Sequence, residues 1–292
     1  MVLILDGRKV RDEIAVALRR KIGALSDSPR LAIVQVGSNK ESSAYIRQKE
    51  LFGEKIKVKV AHRVLPVSVS SSEVLSVIGE LNQDRTVHGI IIQLPLPDSL
   101  DRQRLLDAIA PAKDVDGLGS EHVALRGKGT PYLWPATARG IIELLDFYAV
   151  PIEGRRAAML GRSALVGTPT AEYLRQRGAE VTVCHSQTAD TKEIARASDI
   201  VVVAIGKPKL IGAEYFRDDK TQVVVDVGIN SVGGAALQEE VPRQIIVGDL
   251  DFDAVKERVA ALSPVPGGVG PMTVAALFEN LTEAYERQRM SS

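Results

Sequence analysis

Tyr45 and Lys49 lie four residues apart in a segment of helical character, so their side chains share one face. A lysine serves as a general base only when its amine is uncharged, a state that burial favours. Tyrosine offers an aromatic plane for stacking and a hydroxyl for hydrogen bonding. Taken alone, such a pair is more often a solvated helix face. Gln93 closes the apolar run 87–93, which reads as a buried strand. Ligands of parallel α/β sheets bind at the carboxyl ends of strands, although a glutamine there can equally stabilise a turn. Asp114 and Asp116 flank Val115 ahead of Gly117. Carboxylates so placed either cap a loop or accept paired N–H bonds from a flat heterocycle bearing an amino group.

A second constellation lies further along. Residues 160–167 read LGRSALVG between a strand pattern and a helix pattern. Gly161 lets backbone approach a pyrophosphate, and a helix N-terminus supplies N–H donors and a positive dipole end. The pattern G-x-S-x-x-x-G departs from G-x-G-x-x-G, and its βαβ setting gives it weight over a plain glycine turn. The next strand ends Cys184-His185-Ser186-Gln187-Thr188, without the acid that commonly holds the ribose hydroxyls of NAD. Arg162, in the glycine turn, suits a 2′-phosphate instead, so the expected cofactor is NADP. The plainer readings are a solvated Arg162, a structural His185 and a buried, inert Cys184. Residues 264–273, PVPGGVGPMT, can bring backbone close to a ligand or act as a stiff hinge.

These residues need a scaffold. A chain of 292 residues suggests two domains. Strand and helix patterns alternate throughout, which implies βα units and parallel sheets. Helices are expected over 8–21, 42–53, 70–82 (with Ser70 and Glu73 at capping-box spacing), 102–109 and 137–149, and from Pro271 onward. Strands are expected over 31–36, 57–65, 87–93, 156–160, 181–185, 200–205, 223–227 and 245–247. Val274, Leu277, Phe278, Leu281 and Tyr285 form one stripe of the last helix, to be buried on the first domain. Lys plus Arg and Asp plus Glu both number 37, a balance that argues against nucleic-acid or membrane-surface binding. One cysteine and four scattered histidines offer no metal cluster. The opening MVLILDGRKVRDE reads as neither a signal peptide nor a membrane span, so a cytoplasmic protein is expected.

Taken in order, SSAYIRQK (42–49), QLPLP (93–97), KDVDG (113–117), GRS (161–163) with VGTP (166–169), DVGIN (226–230), GD (248–249) and PGGVGPMT (266–273) resemble the methylenetetrahydrofolate dehydrogenase/methenyltetrahydrofolate cyclohydrolase family over nearly the whole length. The resemblance implies an N-terminal parallel α/β catalytic domain (1–136 with 273–292), a C-terminal Rossmann-type NADP-binding domain (137–272) and an interdomain cleft. It implies catalytic roles for Lys49, Tyr45, Gln93 and Asp116. Tyr45, Gln93, Asp116, Pro266, Gly267, Gly268 and Val269 would bind a tetrahydrofolate derivative. Thr137, Gly161, Arg162, Ser163, Val166, Gly167, His185, Ser186, Gly206, Gly228, Ile229 and Thr273 would bind the cofactor. A homodimer through the dinucleotide domain is implied as well. Ala136 and Ala138 stand where the family has cysteine and proline. Competing readings are a dehydrogenase with little cyclohydrolase activity, a shikimate-type dehydrogenase and a non-catalytic folate or nucleotide sensor.

Overall fold

The computed structural model describes residues 2–38, 40–233 and 244–290. In chain order the elements are β1 (Leu3–Ile4), α1 (Gly7–Gly23), β2 (Arg30–Val36), α2 (Lys40–Ile56), β3 (Lys59–Leu65), α3 (Ser71–Gln83), β4 (Gly89–Ile92), α4 (Arg102–Asp107), α5 (Ser120–Gly127) and α6 (Ala136–Phe147). There follow β5 (Arg156–Leu160), α7 (Gly167–Gln176), β6 (Glu180–Cys184), α8 (Thr191–Ala197), β7 (Ile200–Val203), β8 (Val223–Asp226), β9 (Asn230–Gly233), β10 (Gln244–Val247), α9 (Phe252–Val255), β11 (Ala261–Leu262) and α10 (Val269–Met290). Two compact units result: Asp12–Ala136 with Val274–Ser292, and Met1–Arg11 with Thr137–Thr273. Residues 1–11, expected with the first domain, fall in the second of these units. Leu3 and Ile4 pair in parallel with Ala261 and Leu262, which fastens the N-terminal segment to the dinucleotide-type sheet.

The first unit holds a three-stranded parallel sheet in the order β3-β2-β4. Its central strand is buried from Leu31 to Val36, as a continuous apolar run requires when both faces are covered. On one side the sheet packs α3, α4 and their neighbours through Val74, Ile78 and Leu105. On the other, the stripe of α10 (Val274, Leu277, Phe278, Leu281) is buried with Ile33, Ile46 and Phe52. Each such side chain contributes roughly 1.5–3 kcal/mol. Asn280 in the same helix donates to the carbonyls of Val115 (2.9 Å) and Trp134 (2.8 Å). Ser70 and Glu73 form the expected capping box at the start of α3. The end of that helix is closed by Lys113, whose amine donates to the carbonyls of Leu81 (3.0 Å), Asn82 (2.7 Å) and Asp84 (2.8 Å). Lys113 is therefore a cap for carbonyls that the helix leaves without partners.

The second unit holds a six-stranded, wholly parallel sheet in the order β1-β11-β8-β7-β5-β6. From β5 the chain passes to β6 on one side, then to β7 on the other. Connections of this kind create a crevice at the carboxyl ends of β5 and β7, where the order reverses. Residues 245–247 form a strand, but in an antiparallel ribbon of β9 and β10 apart from the large sheet. The last helix starts at Val269, two residues before Pro271. A proline in the first turn removes an N–H that would have no partner there anyway.

Candidate active site

In the first unit α2 carries Tyr45 and Lys49. Ile46 and Phe52 anchor the helix, and the Phe52 ring stacks at a tilt on Phe278, centroids 5.2 Å apart. This fixes the roll of the helix and leaves Lys49 at the edge of its buried face, with Tyr45 36% exposed one turn earlier. The amine of Lys49 donates to Gln93 Oε1 at 2.9 Å. Gln93 sits just beyond β4, its backbone N–H bound to the Val34 carbonyl (2.8 Å). Its Nε2 donates to the Leu94 carbonyl at 2.8 Å. A carbonyl can only accept, so the amide nitrogen must face Leu94 and the amide oxygen must face the lysine. An uncharged Lys49 can donate one N–H to that oxygen and keep its lone pair for a further proton.

Asp116 completes the group. The loop that holds it runs beside β4 through a bridge between Ile90 and Asp114. Asp114 is buried, and its carboxylate accepts from the N–H groups of Gly117 (3.0 Å) and Gly119 (2.8 Å). Of the two acids, Asp114 is thus the loop cap. Arg126 supports the same loop from α5 by donating to the Gly117 carbonyl at 2.9 Å.

Burial lowers the Lys49 pKa from its ordinary value, with the charge of Asp116 pulling the other way. Burial raises the Asp116 carboxyl to about 6, opposed by Lys49 and reinforced by Asp114. Desolvation favours the neutral form of each. Asp226 in the second unit is likewise raised to about 6 by burial. Both acids bind their proton more tightly in the folded chain than in the unfolded one. Their contribution to stability is full below the ordinary carboxylate range and is lost as pH rises through about 6. Melting curves between pH 4 and pH 7 are expected to show a fall from this source, shallower in Asp116→Asn. Equal slopes in the two proteins would remove Asp116 from the account.

The second unit gathers the other expected residues. Gly161 follows β5 at φ 125°, and its missing side chain leaves room for the carbonyl of Ala204, the first residue after β7. Ser163, expected to touch a ligand, turns its hydroxyl to the N–H groups of Val166 and Gly167, both at 3.2 Å, at the start of α7. Arg162 and Ser186 are exposed. His185 is half-buried, and its Nδ1 accepts the Gln187 N–H at 3.2 Å. Gly206 lies in the turn after β7; Gly228 and the exposed Ile229 follow β8. The hydroxyls of Thr137 and Thr273 are 3.4 Å apart. Cys184 is buried. Gly267 and Gly268 pack in this unit too, the Gly267 carbonyl accepting the Gly7 N–H at 2.9 Å. Val269 opens α10 and is buried, while Pro266 is exposed. Sequence reading passed over Asp249 and Asn230 as site residues, and gave Asp226 no role beyond its place in a motif. The available signal was two acids beside glycines, in DVGIN and GD.

Among the described residues no helix is long and apolar enough to cross a membrane, and no group of three or more His, Cys, Asp or Glu could hold a metal ion. The class is therefore a two-unit α/β protein with a Rossmann-type parallel sheet in one unit and, in the other, a half-buried amine and acid with a buried amide. Residues 5–116 match the catalytic domain of tetrahydrofolate dehydrogenase/cyclohydrolase, and residues 135–289 match its NAD(P)-binding domain. The bifunctional protein FolD of Methanoculleus marisnigri is 43% identical over 282 residues, 97% of this chain and 96% of that one. The Trypanosoma brucei methylenetetrahydrofolate dehydrogenase-cyclohydrolase, solved with NADP and an inhibitor, superposes with a TM-score of 0.92 at 34% identity, covering 98% of each chain. The bifunctional FolD enzyme of Campylobacter jejuni gives 0.90 at 36%, covering 98% of this chain and 100% of that one. The chain belongs to the tetrahydrofolate dehydrogenase/cyclohydrolase family, and it is a bifunctional enzyme of folate one-carbon metabolism.

Proposed function

We propose that the chain oxidises 5,10-methylenetetrahydrofolate with NADP⁺ and hydrolyses the 5,10-methenyl product to 10-formyltetrahydrofolate. The observation that carries this reading is the Lys49 amine held 2.9 Å from Gln93 Oε1, with burial pulling its pKa down. The glycine turn at 161, between β5 and α7 at the reversal of strand order, is proposed to lie against the pyrophosphate. When bound, the nicotinamide would accept the hydride. Thr137, Gly161, Arg162, Ser163, Val166, Gly167, His185, Ser186, Gly206, Gly228, Ile229 and Thr273 are the residues proposed to hold it.

Tyr45 stacks on the folate ring system, and Asp116 accepts hydrogen bonds from its amino-bearing face. Pro266, Gly267, Gly268 and Val269 are proposed as further substrate contacts. In the hydrolytic step, water adds to the methenyl carbon and Lys49 takes the proton it releases. Gln93 holds the amine in place. The proton then goes to the ring nitrogen that leaves as its bond to the one-carbon unit breaks, and the remaining hydroxyl proton is released to solvent as the formyl carbonyl forms. The positive methenyl group disfavours a charged lysine, which keeps the base ready.

Incubation with methylenetetrahydrofolate and either NADP⁺ or NAD⁺, following methenyl and formyl products, tests the whole reading. Absence of turnover with both cofactors sinks it. Arg162→Ala is expected to weaken NADP⁺ by about 10–100-fold, the worth of a charge-assisted bond, and NAD⁺ far less. Equal losses would show that Arg162 does not read the 2′-phosphate. A homodimer remains part of the proposal, and a monomer in sedimentation at micromolar concentration would remove it.

A further inference from the structure

Two acids that the chemistry above does not use are buried beside the sheet of the second unit. Asp249 is fully buried. Its Oδ2 accepts the N–H groups of Ile205 (2.6 Å) and Gly206 (2.8 Å). Its Oδ1 accepts the N–H of Lys207 (2.9 Å) and Nδ2 of Asn230 (2.9 Å). Three consecutive backbone donors of one turn thus converge on one carboxylate, and with Asn230 they use its full capacity of about four acceptor sites. Asp226, at the end of β8, stands behind it. Its carboxylate accepts from the N–H groups of Gly228 (2.9 Å), Asp249 (3.1 Å) and Leu250 (3.0 Å). Gly228 has to be glycine, because a Cβ there would fall on the Asp249 carboxylate.

The turn that Asp249 grips follows β7, and β7 pairs with β5. Gly161, after β5, packs against the carbonyl of Ala204, the residue before that turn. The two turns are therefore the two lips of the crevice at the strand-order reversal, the place where open parallel sheets bind ligands. One lip is set by the glycine and the start of α7. The other has no regular secondary structure, and its three N–H groups are fixed by a side chain 42–44 residues away in sequence.

We infer that Asp249 is a positioning residue for the dinucleotide: it holds the 205–207 turn in one conformation before the cofactor arrives, with Asn230 and Asp226 holding Asp249. This rests on the dinucleotide reading above. A turn without its anchor samples other conformations, and the cofactor must then select the competent fraction, which weakens binding by that fraction. Saturating cofactor restores the competent turn, so the loss falls on KM more than on kcat.

Asp249→Asn places an N–H₂ group against N–H donors on one side of the carboxylate, so one pair of bonds is lost. Titration calorimetry with NADP⁺ and with NAD⁺ is expected to show Kd raised about tenfold or more. KM for the cofactor should rise in step, while kcat at saturation falls much less. Asn230→Ala removes one bond and leaves the three turn contacts, so a shift in the same direction but smaller is expected. A purely structural role predicts the opposite split: a lower melting temperature and reduced kcat with KM at its parental value. That pattern in Asp249→Asn overturns the inference. If Asp249→Asn shows no cooperative melting, Asn230→Ala decides, and parental KM there overturns it as well. If the parental protein binds neither cofactor, the dinucleotide reading fails and takes this one with it; parental binding with an unmoved KM in the variants sinks this one alone.

Discussion

Lys49→Met is expected to abolish hydrolysis of the methenyl substrate, with a loss of about 10²–10⁴-fold, the range general-base catalysis supplies. Methionine has nearly the length of lysine and suits a buried position, so the substitution removes the lone pair with little change in packing. It also strands Gln93 Oε1, now bonded to the amine at 2.9 Å. It further removes the amine whose charge, when protonated, opposes the effect of burial on the Asp116 carboxyl. Lys49→Arg separates charge from basicity. A guanidinium can donate to Gln93 but does not give up its proton in a protein, so it should fail as completely. Activity in the arginine variant would mean that a positive donor, and no base, is what the step needs. Parental hydrolysis rates in a folded Lys49→Met protein would take the lysine out of the mechanism.

Much of this site is legible before any coordinates. Tyr45 and Lys49 stand out by helical spacing, and Gln93 by its place at the end of an apolar run, because both patterns are local; their roles come from the family motifs, since the spacing alone fits a solvated face or a turn equally. What escapes the sequence depends on distant backbone. Asp249 looks like any acid after a glycine until the N–H groups of residues 205–207 are found pointing at it. Asp114 and Asp116 are equivalent in sequence, and only the N–H groups of Gly117 and Gly119 show which one is the cap. Ser163 sits where a phosphate contact is expected, yet its hydroxyl meets the start of α7. The fold follows the same division. The longer strands announce themselves by apolar runs, whereas β1 and β11 are two residues each, too short for any periodicity. Residues 245–247 have a strand's composition, but composition carries no partner, and theirs is antiparallel β9.

Gly161→Ala is the second large effect expected, a loss of about 100-fold or more in NADP⁺ affinity together with a lower melting temperature. Two independent costs arise at this residue. Its φ of 125° lies in a region that L side chains rarely adopt. A Cβ would also overlap the carbonyl of Ala204, whose own N–H is bonded to the Leu160 carbonyl at 2.8 Å. The neighbour is backbone tied into the β5–β7 pairing, so it cannot step aside as a flexible side chain would. The turn must instead open, which shifts the backbone against which the pyrophosphate is proposed to lie. Because tight binding depends on that backbone being in place before the cofactor arrives, a small opening is costly. Hydrolysis of supplied methenyltetrahydrofolate needs no dinucleotide, so the ratio of hydrolysis to oxidation should rise steeply in the variant. A ratio at the parental value, with NADP⁺ bound at parental affinity, would mean that the pyrophosphate is held somewhere other than this turn.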